Sequence, residues 1–280
     1  MNSVYVIAEI GINHNGSMEL AKRLITQAHA SGADAVKFQK RTIDLVYTDE
    51  ELDRFRDSPW GTTNREQKEG LEFSMKQYQE LEQFTYGLDM DFIVSCWDLN
   101  SIDLVEEHLN IKYHKVASAL TTDREFLEKL NATGRPVILS TGMCSPDHIE
   151  AAIGILDNVE IVLACTSTYP TVPEEVNLRH IVTLREKYPH LSVGFSNHYN
   201  GLDASVGAVA IGAKCVEFHI THDRTSYGSD QSASIEKSES LVMAIRNMEL
   251  MLGDGVKRVY NSEIPIAKKL RKKKWKLLTI

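Results

Sequence analysis

The sequence predicts an α/β protein, a (β/α)8 TIM barrel in one domain. Three observations carry that expectation. Eight short apolar runs alternate with eight longer amphipathic ones between residues 4 and 252. The short runs are mostly apolar on both parities, as buried parallel strands are. Eight such units in roughly 250 residues is the barrel's arithmetic. A doubly wound sheet needs fewer strands and usually has a glycine-rich first turn, whereas GINHNG (11–16) is not GxGxxG.

The elements read in order. VYVIAEI (4–10) is a strand, followed by a helix over 18–30. DAVKFQ (34–39) is the second strand. A long polar loop spans about 41–65, and the alternation predicts that it covers the active face. One helix runs over about 67–88. DFIVSC (91–96) precedes a helix opened by Asn100 and Ser101. KYHKVA (112–117) precedes one starting near Thr122. PVILST (136–141) precedes one capped by Ser145, with Pro146 at its first position. EIVLACT (160–166) precedes a helix over 173–188. LSVGFS (191–196) and KCVEFHI (214–220) precede helices over 202–212 and 237–252. The barrel is assigned to 1–258 and a basic tail to 259–280.

Composition narrows the function. Of 280 residues, 31 are Lys or Arg and 39 Asp or Glu, a formal net charge of −8. That balance argues against wholesale nucleic-acid binding, which needs a basic field. No apolar run has the ~18–20 residues of a membrane span. MNSVYVIAEIG lacks a basic n-region and a small-residue cleavage site, so a cytoplasmic protein without a signal peptide is expected. Cys96, Cys144, Cys165 and Cys215 are scattered with no CxxC pair, which suits reduced, buried thiols. KKLRKKKWK (268–276) reads as a solvated tail. Its sharper alternatives are contact with an acidic surface, a nucleic acid or a phosphorylated substrate, or entry into a neighbouring subunit's site.

A TIM barrel keeps its chemistry at the C-terminal ends of its strands, and chemical residues collect there. Glu9, Lys37, Lys115 and Glu217 are charges inside apolar runs. Such burial is costly without a partner, and four at corresponding strand ends point to an active site. Asn13 and His14 follow the first strand, and Gln39 ends the second. Asp223 and Asp230 follow the eighth. His198 and His219 end adjacent strands, a pair suited to Mn²⁺, Fe²⁺, Co²⁺ or Zn²⁺ and less to Mg²⁺. Two lysines with Ser118, Ser140, Thr141 and backbone N–H groups suit a small dianion, although any one hydroxyl serves equally as a helix cap. Tyr169 offers an aromatic wall.

With these residues in view, the chain resembles the sialic acid synthase family. The matching pieces are AEIGINHNGS (8–17), DAVKFQK (34–40), SPWGTTNREQKEGLEFS (58–74), HKVAS (114–118), ILSTGM (138–143), CTSTYP (165–170), GFSNH (194–198), EFHIT (217–221) and GSDQSAS (228–234). The resemblance implies a TIM barrel that condenses phosphoenolpyruvate with an N-acetylmannosamine-like aldose. The products are a 3-deoxy-2-keto sugar acid and phosphate. It also implies a divalent metal, Mn²⁺ foremost with Mg²⁺ or Co²⁺ as alternatives, and a homodimer. Carried over by motif, His198 and His219 hold the metal. Lys37, Lys115, Ser118, Ser140 and Ser167 hold phosphoenolpyruvate. Glu9, Gln39, Tyr169 and Asp230 face the sugar or a metal-bound water. Glu217 handles the proton, so the catalytic set is Glu9, Glu217 and Lys115.

Asn197 stands where the family usually has Asp, Phe218 where it has Lys, and Ser229-Asp230-Gln231 where Pro-Asp-His is common. These changes are expected to remove charge near the mouth. Many relatives also carry an antifreeze-like domain, and the sequence ends at Ile280, before one. The alternatives weighed are an aldolase-type lyase, using the metal or a lysine Schiff base, and a non-catalytic barrel that binds sugar or phosphoenolpyruvate.

Overall fold

The computed structural model describes residues 3–271. In chain order the elements are β1 (Tyr5–Gly11), α1 (Met18–Ser31), β2 (Ala35–Lys40), α2 (Ile43–Val46), α3 (Asp49–Leu52), β3 (Phe55–Ser58), β4 (Gly61–Thr63), α4 (Asn64–Leu71) and α5 (Met75–Tyr86). They continue with β5 (Asp91–Cys96), α6 (Leu99–His108), β6 (His114–Val116), α7 (Arg124–Asn131), β7 (Val137–Ser140), α8 (Pro146–Ile155) and β8 (Val159–Cys165). Last come α9 (Pro173–Val176), α10 (His180–Lys187), β9 (Ser192–Asn197), α11 (Asp203–Ala210), β10 (Cys215–His219), α12 (Ser238–Leu252) and α13 (Glu263–Leu270). Eight parallel strands close in the order β1-β10-β9-β8-β7-β6-β5-β2. The expected TIM barrel is therefore the fold.

Local chemistry sets the element ends. Ser17 caps α1 by accepting from the Leu20 amide, and Gly32 ends it at φ 83°, a left-handed turn that favours glycine. The single helix expected over 67–88 is two. Thr63 and Glu66 form a capping box that starts α4, and Ser74 and Gln77 form another that starts α5. A second cap inside an amphipathic run restarts the helix, which periodicity alone does not reveal. The run over 173–188 likewise breaks at Asn177, which is left-handed at φ 47°. The loop expected over 41–65 holds α2, α3 and an antiparallel β3–β4 hairpin. Part of the expected tail is helical, in α13, and 272–280 lie outside the described residues.

Two apolar layers build the interior. Outward side chains such as Val6, Val36, Phe92, Val162 and Phe218 join helix residues such as Leu24, Ile25 and Leu241 in the larger core. Inward side chains Ile7, Ala35, Ile93, Ile138, Leu163 and Cys215 fill the barrel as a dry plug. Side chains alternate along a strand, so two residues beyond each plug position comes the next inward one. Those next positions include Glu9, Lys37, Ser95, Ser140, Cys165 and Glu217, and the same step from Tyr113 reaches Lys115. The apolar plug gives way, within one layer, to a polar ring. One more step brings Gln39, Trp97, Ser167, His198 and His219 to the mouth. Among the described residues, no helix is long and apolar enough to cross a membrane.

Candidate active site

The polar ring is held by ion pairs. The Lys37 ammonium lies 2.7 Å from Glu9 Oε2 and 3.9 Å from Glu217 Oε1. The Lys115 ammonium donates to Glu217 Oε1 at 3.1 Å. Ser196 donates to the same oxygen at 3.2 Å, and Lys37 donates to Ser95 Oγ at 3.3 Å. All four charged residues are buried. Adjacent strands set this grouping, because β1 pairs Glu9 with Lys37 on one side and with His219 on the other.

Each charge is shaped by its neighbours. Burial alone pushes the Glu217 carboxyl up, but Lys115 and Lys37 outweigh it and hold the group down at about 2. Burial pulls Lys37 down, yet Glu217 and Glu9 overcome this and raise it. Lys115 is lowered, by burial first and then by Lys37. The ring is thus two ammoniums and two carboxylates whose opposite charges sustain one another.

The mouth adds imidazoles and hydroxyls. His198 Nδ1 lies 2.7 Å from the Thr166 carbonyl, which assigns that nitrogen a donor role and leaves Nε2 for another partner. The His198 and His219 rings are 5.5 Å apart between centroids, and Tyr169 packs 4.0 Å from His198. Burial holds His219 below the usual imidazole value, and its buried Nδ1 has no hydrogen-bond partner, with Asp230 Oδ2 3.8 Å away. Gln39 donates to Glu9 Oε1 at 2.7 Å. The Ser140 hydroxyl is buried and unpartnered. Ser118 accepts from the Gly142 amide at 2.9 Å. A Cβ at Gly142 would fall 2.1 Å from Ser167 Oγ, so glycine keeps this floor open.

Of the twelve residues given a catalytic, substrate-binding or metal role by sequence, eleven line one cavity of about 290 Å³: Glu9, Lys37, Gln39, Lys115, Ser118, Ser140, Ser167, Tyr169, His198, Glu217 and His219. Asp230 lines an adjoining cavity of about 390 Å³, together with Gln39 and Tyr169. Several expectations are corrected. Thr141 is not free to bind an anion, because its hydroxyl donates to the Leu163 carbonyl at 2.9 Å. Asn13 latches the Ile220 carbonyl and Ser234 instead of facing the mouth. Asp223 is exposed and holds Thr225 in a loop turn. Phe218 points into the outer core, and Asn197 folds onto the Tyr199 backbone. Neither departure removes charge from the mouth, since both sit on the outward parity.

Cys165 also differs from the inert thiol expected. Its sulfur lines the cavity, 3.8 Å from Ser118, Ser167 and His198; burial raises its pKa, but His198, Lys115 and Ser118 outweigh this and lower it. Ser95 and Trp97 were missed, although the two-residue step from Ile93 points to each; Ser196, expected at the end of its strand, does line the cavity. Arg41 and Lys68 were missed for a different reason. They belong to the long excursion, where no strand parity applies.

Comparison with known proteins agrees with this geometry. Residues 24–257 match the NeuB family. The chain is 40% identical over 275 residues to N-acetylneuraminate-9-phosphate synthase of Homo sapiens, spanning 96% of this chain and 76% of that one. It is 35% identical over 281 residues to N,N'-diacetyllegionaminic acid synthase of Legionella pneumophila, spanning 96% and 78%. The crystal structure of N-acetylneuraminic acid (sialic acid) synthetase from Leptospira borgpetersenii superposes with a TM-score of 0.81 at 31% identity, covering 97% of this chain and 94% of that one. The barrel with its charged mouth is that of a sialic acid synthase-like enzyme. The chain belongs to the NeuB family.

Proposed function

We propose that the chain condenses phosphoenolpyruvate with an N-acetylmannosamine-like aldose. The products are a 3-deoxy-2-keto sugar acid and phosphate. The observation that carries this reading is the buried Lys37–Lys115 pair, ringed by hydroxyls, directly beneath the His198–His219 pair. Two ammoniums and the Ser118, Ser140 and Ser167 hydroxyls suit the phosphate and carboxylate of the donor. The vinyl carbon attacks the aldehyde carbon to form the new C–C bond. Water adds to C2, and phosphate leaves with cleavage of its C–O bond. Glu217, held ionised, is the carboxylate suited to take the proton from that water. Glu9, fixed by Lys37 and Gln39, faces the aldose end with Tyr169 and Asp230.

The donor chemistry fits a divalent ion. His219 offers an unpartnered buried nitrogen and His198 an uncommitted Nε2, so these two residues would hold it. No third histidine, cysteine or carboxylate completes a ready cluster among the described residues, which leaves the other ligands to water or substrate. When bound, the ion, Mn²⁺ in this reading, supplies Lewis acidity toward the aldehyde oxygen. A cytoplasmic homodimer is part of the same reading. Its dimeric part is supported by exposed apolar side chains such as Leu250, Met251, Val256 and Ile266.

Relatives with and without a phosphate in their product's name both match, so the acceptor is a matter for experiment. The test is phosphate release from phosphoenolpyruvate with Mn²⁺ across a panel of aldoses, each free and terminally phosphorylated. Release that needs one sugar and stops with chelator is expected. Saturable phosphoenolpyruvate binding with no release from any sugar would overturn the synthase reading in favour of a binding barrel.

A further inference from the structure

Gln39 stands where the inner cavity meets the outer one, and its amide has two unlike ends to place. The amide nitrogen donates to Glu9 Oε1 at 2.7 Å, and Lys37 lies 2.7 Å from the other Glu9 oxygen. The amide oxygen accepts from Arg41 at 2.5 Å. An ionised carboxylate only accepts and a guanidinium only donates. With one on each side, a single orientation of the amide satisfies both. A flipped amide would set oxygen against oxygen and N–H against N–H.

Arg41 is itself held by contacts that no substrate supplies. Its backbone amide donates to Glu72 Oε2 at 3.3 Å, and its carbonyl accepts from Lys40 at 2.8 Å. Lys40 and Glu72 are paired at 2.7 Å. The guanidinium carbon lies 4.1 Å from the Trp97 ring centre. Other cations share this region. Lys68 lies over the Tyr47 ring at 4.9 Å, and Arg56 contacts the neutral oxygens of Tyr227 and Asn64. Burial, then Arg41 and Arg56, hold the Lys68 ammonium down at about 8. Among the described residues no carboxylate lies within ion-pair distance of the Arg41 side chain, and its buried Nε has no partner. A half-buried guanidinium beside other cations and without an acid costs stability. What this one does hold is the Gln39 oxygen.

We propose that Arg41 is a positioning residue, which locks the Gln39 amide with its N–H toward Glu9 and so fixes the carboxylate that faces the aldose. This rests on the synthase reading above. Arg41 acts through Gln39 and need not touch the sugar. Donation to the amide oxygen polarises the amide and strengthens its N–H donation on the other side. The flat stack on Trp97 orders the guanidinium on folding, so the glutamine torsions are already fixed when the sugar arrives.

The test uses Arg41→Met and Gln39→Met, singly and together, with thermal melting to confirm folding. In Arg41→Met, kcat/KM for the aldose that turns over should fall about tenfold, as for loss of one charge-assisted hydrogen bond. KM for phosphoenolpyruvate should stay unchanged. In the Gln39→Met background the same change should cost less than about twofold, because the residue it acts through is gone. Equal losses in both backgrounds would mean that Arg41 acts without Gln39, and they overturn the inference. A rise in KM for phosphoenolpyruvate does the same. A readout that needs no turnover is the Gln39 side-chain amide in a proton–nitrogen correlation spectrum, assigned by its loss in Gln39→Met. Its N–H resonances should move toward those of free glutamine in Arg41→Met. Unmoved resonances overturn the inference whatever the kinetics. If no sugar turns over, the synthase reading fails, and these resonances alone decide the role of Arg41.

Discussion

Lys115 and Glu217 lie 3.1 Å apart inside the barrel, and removing either leaves the other a buried charge short of its partner. Breaking a buried pair costs about 3–5 kcal/mol, and Lys37 at 3.9 Å from Glu217 softens this toward the lower end. Lys115→Ala should therefore lower the urea midpoint and raise KM for phosphoenolpyruvate steeply. Glu217→Gln keeps shape but cannot take a proton at neutral pH, so kcat should fall far more than KM rises. His219→Ala should remove metal-dependent turnover while circular dichroism stays that of the wild type. Near-normal kinetics in all three variants would dismiss the assigned roles. The sequence exposed these residues because a charge inside an apolar strand is costly and rarely idle. Ser95 escaped notice, and Cys165 was read only as a buried thiol, because small side chains are unremarkable in a core.

The β3–β4 hairpin, which carries Arg56, is pinned by packing at one glycine. A Cβ at Gly70 in α4 would fall 2.2 Å from the Trp60 ring, and Trp60 in turn meets Tyr227 edge-on at 5.7 Å. Gly70→Ala should cost about 1–3 kcal/mol by overpacking. It should also free the hairpin, read as faster proteolysis within residues 53–63. An unchanged cleavage rate would show that Trp60 is not the pin. A second contact joins α6 to the barrel. Glu106 accepts from Arg135 Nε at 2.6 Å and meets His114 Nε2 at 2.8 Å. Burial raises its pKa, but His114 and Arg135 outweigh this and lower it. A depressed carboxyl stabilises the fold above its ordinary value of 4.5, and that contribution fades as pH falls through the folded value. The melting temperature of wild type should thus exceed that of Glu106→Gln at pH 7, with the gap closing below about pH 4. A gap independent of pH would refute the linkage. The part of the excursion carrying Arg41 and Arg56 was read as a loop, since its helices of four residues and strands of three and four are too short to show a period; Lys68 lies in the helix expected over 67–88.

The closed barrel joins the start of the chain to its end, and one side chain secures that seam. Arg246 of α12 donates to the Val4 carbonyl at 2.6 Å and to Asp34 Oδ2 at 2.9 Å. Glu249 of the same helix lies 3.2 Å from Arg246 and accepts from the Val4 amide at 2.5 Å. Charged hydrogen bonds of this kind are worth about 1.5–3 kcal/mol. Arg246→Ala should lower the unfolding free energy by that amount, read as a lower urea midpoint in one transition of unchanged slope. Two transitions would mean that the barrel halves unfold separately.

How much was legible follows from the range of each signal. Strand and helix alternation, the barrel, and eleven of the residues lining the inner cavity were readable, because parity and burial act locally along a strand. Helix restarts at Ser74 and the break at Asn177 depend on single caps, and an amphipathic count averages over them. Direction was decided in three dimensions. Closure turned Phe218 outward and Glu217 inward, and sent the Thr141 hydroxyl to a carbonyl. The gathering of Arg41, Arg56 and Lys68 was likewise tertiary, since the three meet only when a folded excursion packs beside the mouth. A chain specifies its periodic contacts residue by residue, but which charges share a cavity is set by the sheet's closure and by the loops packed against it.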